Sequence, residues 1–354
     1  MNEISIKIGL WYDVHKRDLP WRHTRDAYLI WLSEVILQQT RVAQGYDYWV
    51  RFVKAFPSVE ALANASEDSI LKLWQGLGYY SRARNLHAAA CQVVNDLKRH
   101  TFPTSYEELI KLKGVGPYTA AAVASLSSDE EVAVVDGNVY RVLARLFDIS
   151  TPIDSTTGHK EFQQLANQML ITPSSHHNQA IMEFGALQCT PSAPDCNNCL
   201  LSGHCLSLAN DSVDQRPVKQ GKTKVRDRYL SYIIYIYKDT LWVHQRKEGD
   251  IWQGLWEFVL DEELGSLPAD KQNWGDLDAG CEKVLILQKK HQLSHQTLHA
   301  DFWVVKLPND ETPANNKSIQ SLPEDYRQVT WMEWQQLAVP RLIDEANKQL
   351  SAWF

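Results

Sequence analysis

Cys189, Cys196, Cys199 and Cys205 stand in the spacing C-x6-C-x2-C-x5-C on one short loop behind a helical stretch, while Cys91 and Cys281 stand alone. Four thiolates this close converge tetrahedrally on zinc or hold the four irons of a cubane cluster. A zinc ribbon would want two C-x2-C knuckles far apart, and there is one; a zinc deaminase would want an H-x-E upstream, and it is absent. A 4Fe-4S cluster is the best single reading. Six cysteines in 354 residues are otherwise too few for a disulfide scaffold.

Two more segments have chemistry in them. Leu112-Lys113-Gly114-Val115-Gly116-Pro117-Tyr118-Thr119 is a glycine turn between two short helices. Such a turn points backbone N–H groups outward at a helix N-terminus, where the dipole favours a phosphate, and Pro117 fits the first helical turn because its missing N–H costs nothing there. Further on, Val132-Ala133-Val134-Val135-Asp136-Gly137-Asn138 places a carboxylate after an apolar run and before a helix. An Asp there is commonly an N-cap. Its coupling to the hairpin and the cysteine loop makes it a functional candidate as well.

The elements that must hold these groups change character along the chain. Residues 1–210 read as an all-α domain: Tyr28, Ile30, Trp31, Val35, Ile36 and Leu37 recur near helical period between Asp26 and Ala43, Asp68 to Trp74 and Ser81 to Val94 repeat the pattern, and Gly114 to Leu126 is a small-residue helix. Residues 211–228 carry Arg216, Lys219, Lys222, Lys224, Arg226 and Arg228 against Asp227, with Pro217 and Gly221. That composition predicts an exposed basic linker, either a solvated tether or a strip lying along phosphates. Residues 229–354 are β-rich at Tyr229 to Tyr237, Thr240 to Gln245, Lys283 to Gln288, His299 to Leu307 and Gln328 to Met332, and close on a helix from Arg341 to Leu350. The expected architecture is therefore an α domain followed by an α+β domain.

Composition narrows the partners. With 36 Lys and Arg against 43 Asp and Glu the formal charge is −7, which argues against a histone-like or tail-driven binder and leaves room for a local basic groove. No run approaches the roughly 18–20 apolar residues of a membrane span, and Met1 to Leu10 has no signal-peptide core, so a soluble, cytoplasmic chain is expected. The 13 Trp and 14 Tyr suit packing and base stacking alike.

Taken in order, Gly114-Val115-Gly116-Pro117, Val135-Asp136-Gly137-Asn138 and the cysteine spacing resemble the helix-hairpin-helix base-excision DNA glycosylases. The segments from Trp31-Leu32-Ser33-Glu34 to Leu37-Gln38-Gln39-Thr40, and Gly76-Leu77-Gly78-Tyr79-Tyr80-Ser81-Arg82, narrow the resemblance to MutY-type adenine DNA glycosylases. These remove adenine mispaired opposite 8-oxoguanine, and their C-terminal domain is similar to Nudix hydrolases. The resemblance implies a DNA repair hydrolase of N-glycosyl bonds, monomeric, with a 4Fe-4S cluster on the four cysteines and double-stranded DNA holding A:8-oxoguanine or A:G mispairs as its partner. Breaking the bond requires two carboxyl groups with different jobs. Glu34, on an otherwise apolar helical stretch, suits the acid because burial raises its pKa; Asp136 stabilises the sugar cation, and Tyr118 and Asn138 support the pair. In endonuclease III-like relatives the position of Tyr118 holds a lysine that attacks the sugar and cuts the strand through a Schiff base. A phenol forms no imine, so the bifunctional glycosylase/lyase is the alternative and a monofunctional enzyme is expected.

The resemblance also assigns binding residues. Leu37, Gln38, Gln39, Thr40 and Tyr79 match positions that enter the stack beside 8-oxoguanine, with Gly114 and Gly116 holding phosphate. Leu19, Trp21, Arg22 and Gln179 match the adenine pocket. Ser294 and His295 fall where the family reads 8-oxoguanine, but Leu293 replaces its usual aromatic, and Lys289, Lys290 and His291 precede them. Gly249-Asp250-Ile251-Trp252-Gln253-Gly254-Leu255-Trp256-Glu257-Phe258 resembles the family's Nudix-like signature. Glu262 and Glu263 lack the Arg-Glu-x-x-Glu-Glu pattern of magnesium-binding Nudix enzymes, so the second domain is expected to read the damaged base and not to cleave pyrophosphates. As a structural DNA binder stapled by a metal, the chain would have no use for the pairing of Glu34 with Asp136.

Overall fold

The computed structural model describes residues 1–221, 225–262, 281–308 and 316–354. They form two compact units, Met1–Asn64 with Asn85–Lys222, and Ala65–Arg84 with Thr223–Phe354. Among the described residues no helix is long and apolar enough to cross a membrane.

The first unit is helical. Helix Ala27–Leu37 starts where the Asp26 carboxylate accepts from the Tyr28 N–H, and it is buried almost all round from Ala27 to Ile36. It ends at Leu37, short of the Ala43 that periodicity suggested. The apolar pattern runs out into Gln38-Gln39-Thr40-Arg41, Gln39 turns to φ 54°, and a new helix runs over Val42–Ala55. The predicted helix is thus two helices, and the break between them holds Gln38, Gln39 and Thr40.

The hairpin helix spans Pro117–Ser128 and begins after the glycines. Gly114 sits at φ 72°, and a Cβ there would lie 2.5 Å from Asn85 Cβ, so both backbone hand and space demand glycine. Alanines and Ser125 let this helix pack closely on Ala27–Leu37. Helix Gly137–Leu146 follows, capped by Asp136, and Ser174–Leu187 packs on both it and the hairpin helix. Val139, Leu143, Phe162, Met169 and Phe184 are among the side chains that fill the core beneath them.

The second unit is built on one mixed sheet. Its strands are β1 (Arg226–Tyr237), β2 (Thr240–Gln245), β3 (Trp256–Asp261), β4 (Glu282–Gln292), β5 (Gln296–Lys306) and β6 (Arg327–Thr330), in the order β4-β5-β1-β3-β2-β6. β1 and β5 run parallel and the remaining neighbours antiparallel. Leu342, Ile343, Ala346 and Leu350 of helix Arg341–Leu350 close one face over Tyr232, Phe258 and Phe302. Two sequence expectations change here. β3 begins inside the segment read only as a signature and runs past it to Asp261, and the strand expected to reach Met332 stops at Thr330, whose hydroxyl caps helix Trp331–Gln336 in a reciprocal box with Glu333. Helix Glu67–Trp74 belongs to this unit: Lys72 Nζ donates to the carbonyls of Gln335 (2.7 Å) and Leu337 (2.8 Å).

The basic stretch read as an exposed linker is docked over much of its described length. Arg216 pairs with Asp148 at 2.9 Å, Ile153 N–H donates to Val218 O at 3.0 Å, and Asp154 accepts from the Gln220 and Gly221 N–H groups. Arg226 to Arg228 begin β1, with Arg228 paired to Asp250 and Glu262. Composition misleads because the acids that meet these bases are distant in sequence. Lys222 and Lys224 lie outside the described residues.

Candidate active site

Glu34 sits on the last full turn of helix Ala27–Leu37 and is 9% exposed. Tyr118, one residue into the hairpin helix, donates its hydroxyl to Glu34 Oε2 at 2.5 Å. Burial pushes the Glu34 carboxyl up to about 7; the Tyr118 hydrogen bond pulls it down, the nearby charge of Asp136 pushes it up, and Arg22 pulls it down. Burial, then Glu34 and Asp136, hold the Tyr118 phenol well above its ordinary range. The site therefore contains a carboxylic acid that keeps its proton close to neutral pH and a phenol that does not give up its own.

The helix-cap reading of Asp136 is visible in its hydrogen bonds. Oδ1 accepts from the Val139 N–H at 2.7 Å, the ordinary N-cap bond, while Oδ2 accepts from Asn138 Nδ2 at 2.7 Å. Burial raises its pKa and these bonds oppose the rise. Asn138 Oδ1 in turn accepts from Arg141 Nη2 at 2.9 Å, and Arg141 also donates to Gly185 O (2.5 Å) and Cys189 O (2.7 Å). Two buried carboxyl groups, Glu34 raised by burial and Asp136 accepting from the Val139 N–H and Asn138 Nδ2, lie within electrostatic reach of each other.

Leu19 and Trp21 are buried within the same unit, Trp21 edge-on to Trp49 at 5.7 Å. Arg22 is close enough for its charge to act on Glu34, and Gln179 Oε1 accepts from the Tyr12 hydroxyl at 2.8 Å. Gln38 Nε2 donates to Thr119 Oγ1 at 3.2 Å, tying the break after Leu37 to the hairpin helix; Gln39 is exposed and Leu37 and Thr40 half-buried. Gly116 caps the hairpin helix, exposed and with open space around it.

The four cysteines line one cavity with Val142, Leu146, Phe184, Leu201 and Leu208. Among the described residues no three metal-binding side chains converge on a point that would hold a single ion. Burial pushes the thiols of Cys196, Cys199 and Cys205 up, so keeping them as thiolates calls for a cationic group among them. An all-thiol donor set around an apolar cavity fits a polynuclear iron–sulfur group.

Residues 32–168 match the HhH-GPD superfamily base excision DNA repair proteins, and residues 231–349 match the NUDIX domain. The adenine DNA glycosylase of Buchnera aphidicola subsp. Schizaphis graminum (strain Sg) is 34% identical over 295 residues, covering 82% of this chain and 83% of its own. The chain belongs to the adenine DNA glycosylase family. The human adenine DNA glycosylase is 44% identical over 206 residues, 55% of this chain and 37% of that protein. A solved structure of a thermostable thymine-DNA glycosylase is 30% identical with TM-score 0.55, covering 58% of this chain and 95% of its own. A non-covalent endonuclease III–DNA complex, at 20% identity and TM-score 0.51, shares the fold over 59% of this chain and 95% of its own. HhH-GPD proteins of the endonuclease III type typically carry a 4Fe-4S cluster.

In this adenine DNA glycosylase family member the second unit holds a separate group of assigned residues. Tyr79, Ser294 and His295 line one cavity of about 420 Å³, together with Arg84, Trp252 and His291. Tyr79 is 48% exposed at φ 47°, and Ser294 and His295 are exposed at the turn between β4 and β5. Leu293 packs against the sheet core, and Lys289 is held by Glu345 at 2.8 Å. Glu262 is paired to Arg228, while Glu263 lies outside the described residues. Sequence reasoning missed Arg141 and Arg145, which tie the cysteine loop to helix Gly137–Leu146; Arg145 donates to Thr190 O at 2.7 Å. Their signal was their spacing, three and seven residues after Asn138, on the helix face turned away from solvent.

Proposed function

We propose that this chain excises adenine mispaired opposite 8-oxoguanine or guanine in double-stranded DNA, by hydrolysis and without cutting the strand, in base excision repair. The observation that carries this reading is the buried Glu34 hydrogen-bonded to Tyr118, with Asp136 in electrostatic reach. Glu34 delivers its proton to the leaving adenine, at N7 by the family resemblance. Asp136, oriented by Asn138 and Val139 N–H, stabilises the oxocarbenium-like sugar electrostatically or as a transient acetal, and water completes the hydrolysis. Extracting adenine costs a few kcal/mol of stacking and pairing. By the family resemblance Leu37, Gln38, Gln39 and Thr40, and separately Tyr79, match positions that enter the stack beside 8-oxoguanine, the Gly114–Gly116 turn holds phosphate, and Leu19, Trp21, Arg22 and Gln179 receive the base.

Tyr118→Lys tests the absence of a lyase step. An amine in that position attacks the deoxyribose and forms an imine, so the variant should be trapped on DNA by borohydride while the parent is not. Efficient trapping of the parent would refute the hydrolytic reading.

Cys189, Cys196, Cys199 and Cys205 would hold the 4Fe-4S cluster, which supplies a rigid framework for its loop and no acid or base. Anaerobically purified protein should be brown and contain about four irons per chain. Stoichiometric zinc without iron would reject the cluster.

Ser294 and His295 read the damaged guanine as hydrogen-bond donors. Changing both to Ala should reduce the preference for 8-oxoguanine over guanine opposite adenine, each contact being worth about 1–3 kcal/mol. Adenine removal from A:G should persist, because Glu34 and Asp136 are untouched. An unchanged preference would make the β4–β5 turn a bystander.

A further inference from the structure

Among the described residues of the first unit, Glu183 is a buried carboxylate that the mechanism above leaves unused. Its side chain is 1% exposed, on helix Ser174–Leu187 one turn beyond Gln179. Oε1 accepts from the Arg17 backbone N–H (2.9 Å), Arg17 Nε (2.9 Å) and Arg22 Nη1 (3.0 Å). Oε2 accepts from Arg17 Nη2 (2.6 Å) and Arg22 Nη2 (2.8 Å). Burial pushes this carboxyl up, but the hydrogen bonds from the two arginines outweigh it and hold it at about 2.

We propose that Glu183 is the positioning residue of the adenine pocket, fixing the Arg22 guanidinium where it faces the base and the proton-donating Glu34. The inference rests on the reading of Arg22 and Gln179 as adenine-pocket residues. Arg22 Nη1 also donates to Arg17 O at 2.9 Å, and its guanidinium lies 5.6 Å from the Tyr12 ring, whose hydroxyl bonds Gln179. One connected network therefore holds both pocket residues, and Arg22 acts through space on Glu34. A fork-to-fork carboxylate–guanidinium pair sets the plane of the arginine as well as its place, which a surface partner or water would not. Buried ion pairs contribute little net stability compared with apolar packing, so stability alone gives weak reason for this one.

The test is single-turnover adenine release from an A:8-oxoguanine duplex, with its pH profile, for the parent, Glu183→Gln, Arg17→Gln and Arg22→Gln. The groups acting on Glu34 are Tyr118 from the hairpin helix, Asp136 at its helix cap and Arg22. Glu183→Gln leaves Arg22 uncompensated, which favours ionised Glu34. Release should slow by about ten- to a hundredfold, with duplex affinity nearly unchanged, and the basic limb of the profile should move to lower pH. Arg17→Gln, at a side chain 36% exposed and so tolerant of change, removes one of the two positive charges on Glu183 and leaves a neutral Glu183–Arg22 pair where the parent cluster carries a net positive charge. Its basic limb should move to higher pH, and it tests the inference even where Glu183→Gln does not fold. A merely structural ion pair lowers the melting temperature in both variants and moves neither limb, and that result overturns the inference. Arg22→Gln separates the two readings. Parental release there means that the pocket assignment itself is wrong, whereas slow release with unmoved limbs in the other variants removes only the role of Glu183.

Discussion

Glu34→Gln should lower single-turnover adenine release by about 10² to 10⁴, the usual contribution of a positioned general acid, while the lesion duplex stays bound. Gln keeps a carbonyl that accepts the Tyr118 hydroxyl, so shape and hydrogen bonding survive and the missing item is the proton. Stability should move the opposite way from activity. Folding raises the Glu34 pKa to about 7 from the ordinary 4.5, so the stability of the parent is full below the unfolded value and is lost as pH rises through about 7. Replacement by neutral Gln removes that loss, and the variant should resist urea better than the parent by roughly 1–3 kcal/mol at about pH 8. The advantage should vanish near pH 4. A variant that is inactive and less stable at both pH values would make Glu34 a structural residue. The parent's rate should also fall as pH rises through about 7, where Glu34 loses its proton, and fall again in acid as Asp136, raised by burial, is neutralised.

Asp136→Asn should be comparably severe, about 10² or more in the release step, because a neutral amide does not stabilise the developing sugar cation. The structure makes this substitution unusually informative. Asn is nearly as good an N-cap as Asp, so the bond from the Val139 N–H and the start of helix Gly137–Leu146 are retained. The bond from Asn138 Nδ2 is lost, because the new amide presents an N–H group there, so the folded state should lose about 1 kcal/mol, and Asp136→Ala, which also loses the cap, about 1 kcal/mol more. Chemical denaturation beside single-turnover kinetics checks both. Near-parental release by Asp136→Asn would leave the residue as a helix cap and nothing else.

Much of this is legible in the amino-acid sequence, and what is not has identifiable causes. The cysteine spacing, the glycine turn and the Val-Asp-Gly-Asn segment are local signals, each fixed by a few adjacent residues; the turn and the helix after Asp136 form in place, while the hairpin helix spans Pro117–Ser128 and not Gly114 to Leu126 because the glycines stay in the turn. Helix Arg341–Leu350 was legible to the residue because its apolar positions are cleanly periodic and proline precedes it. The break after Leu37 was hidden because Val42 resumes a helix so soon that periodicity spans the gap. β3 was missed because Gly249 to Phe258 read as a family signature, which masked the strand that starts at Trp256 and runs on to Asp261. The docking of Arg216 on Asp148, and of Arg17 and Arg22 on Glu183, depends on partners 68 and 161 to 166 residues away, which no local pattern contains. Arginine in a sequence announces charge; only the fold says which acid receives it.

The most direct measurement is single-turnover cleavage by the intact protein of duplexes carrying A opposite 8-oxoguanine, A opposite guanine, A opposite cytosine and thymine glycol, each analysed with and without alkali. Adenine should be released fastest opposite 8-oxoguanine and more slowly opposite guanine, with strand breaks appearing only after alkali. Breaks without alkali, or a preference for thymine glycol over the adenine mispairs, would contradict the account.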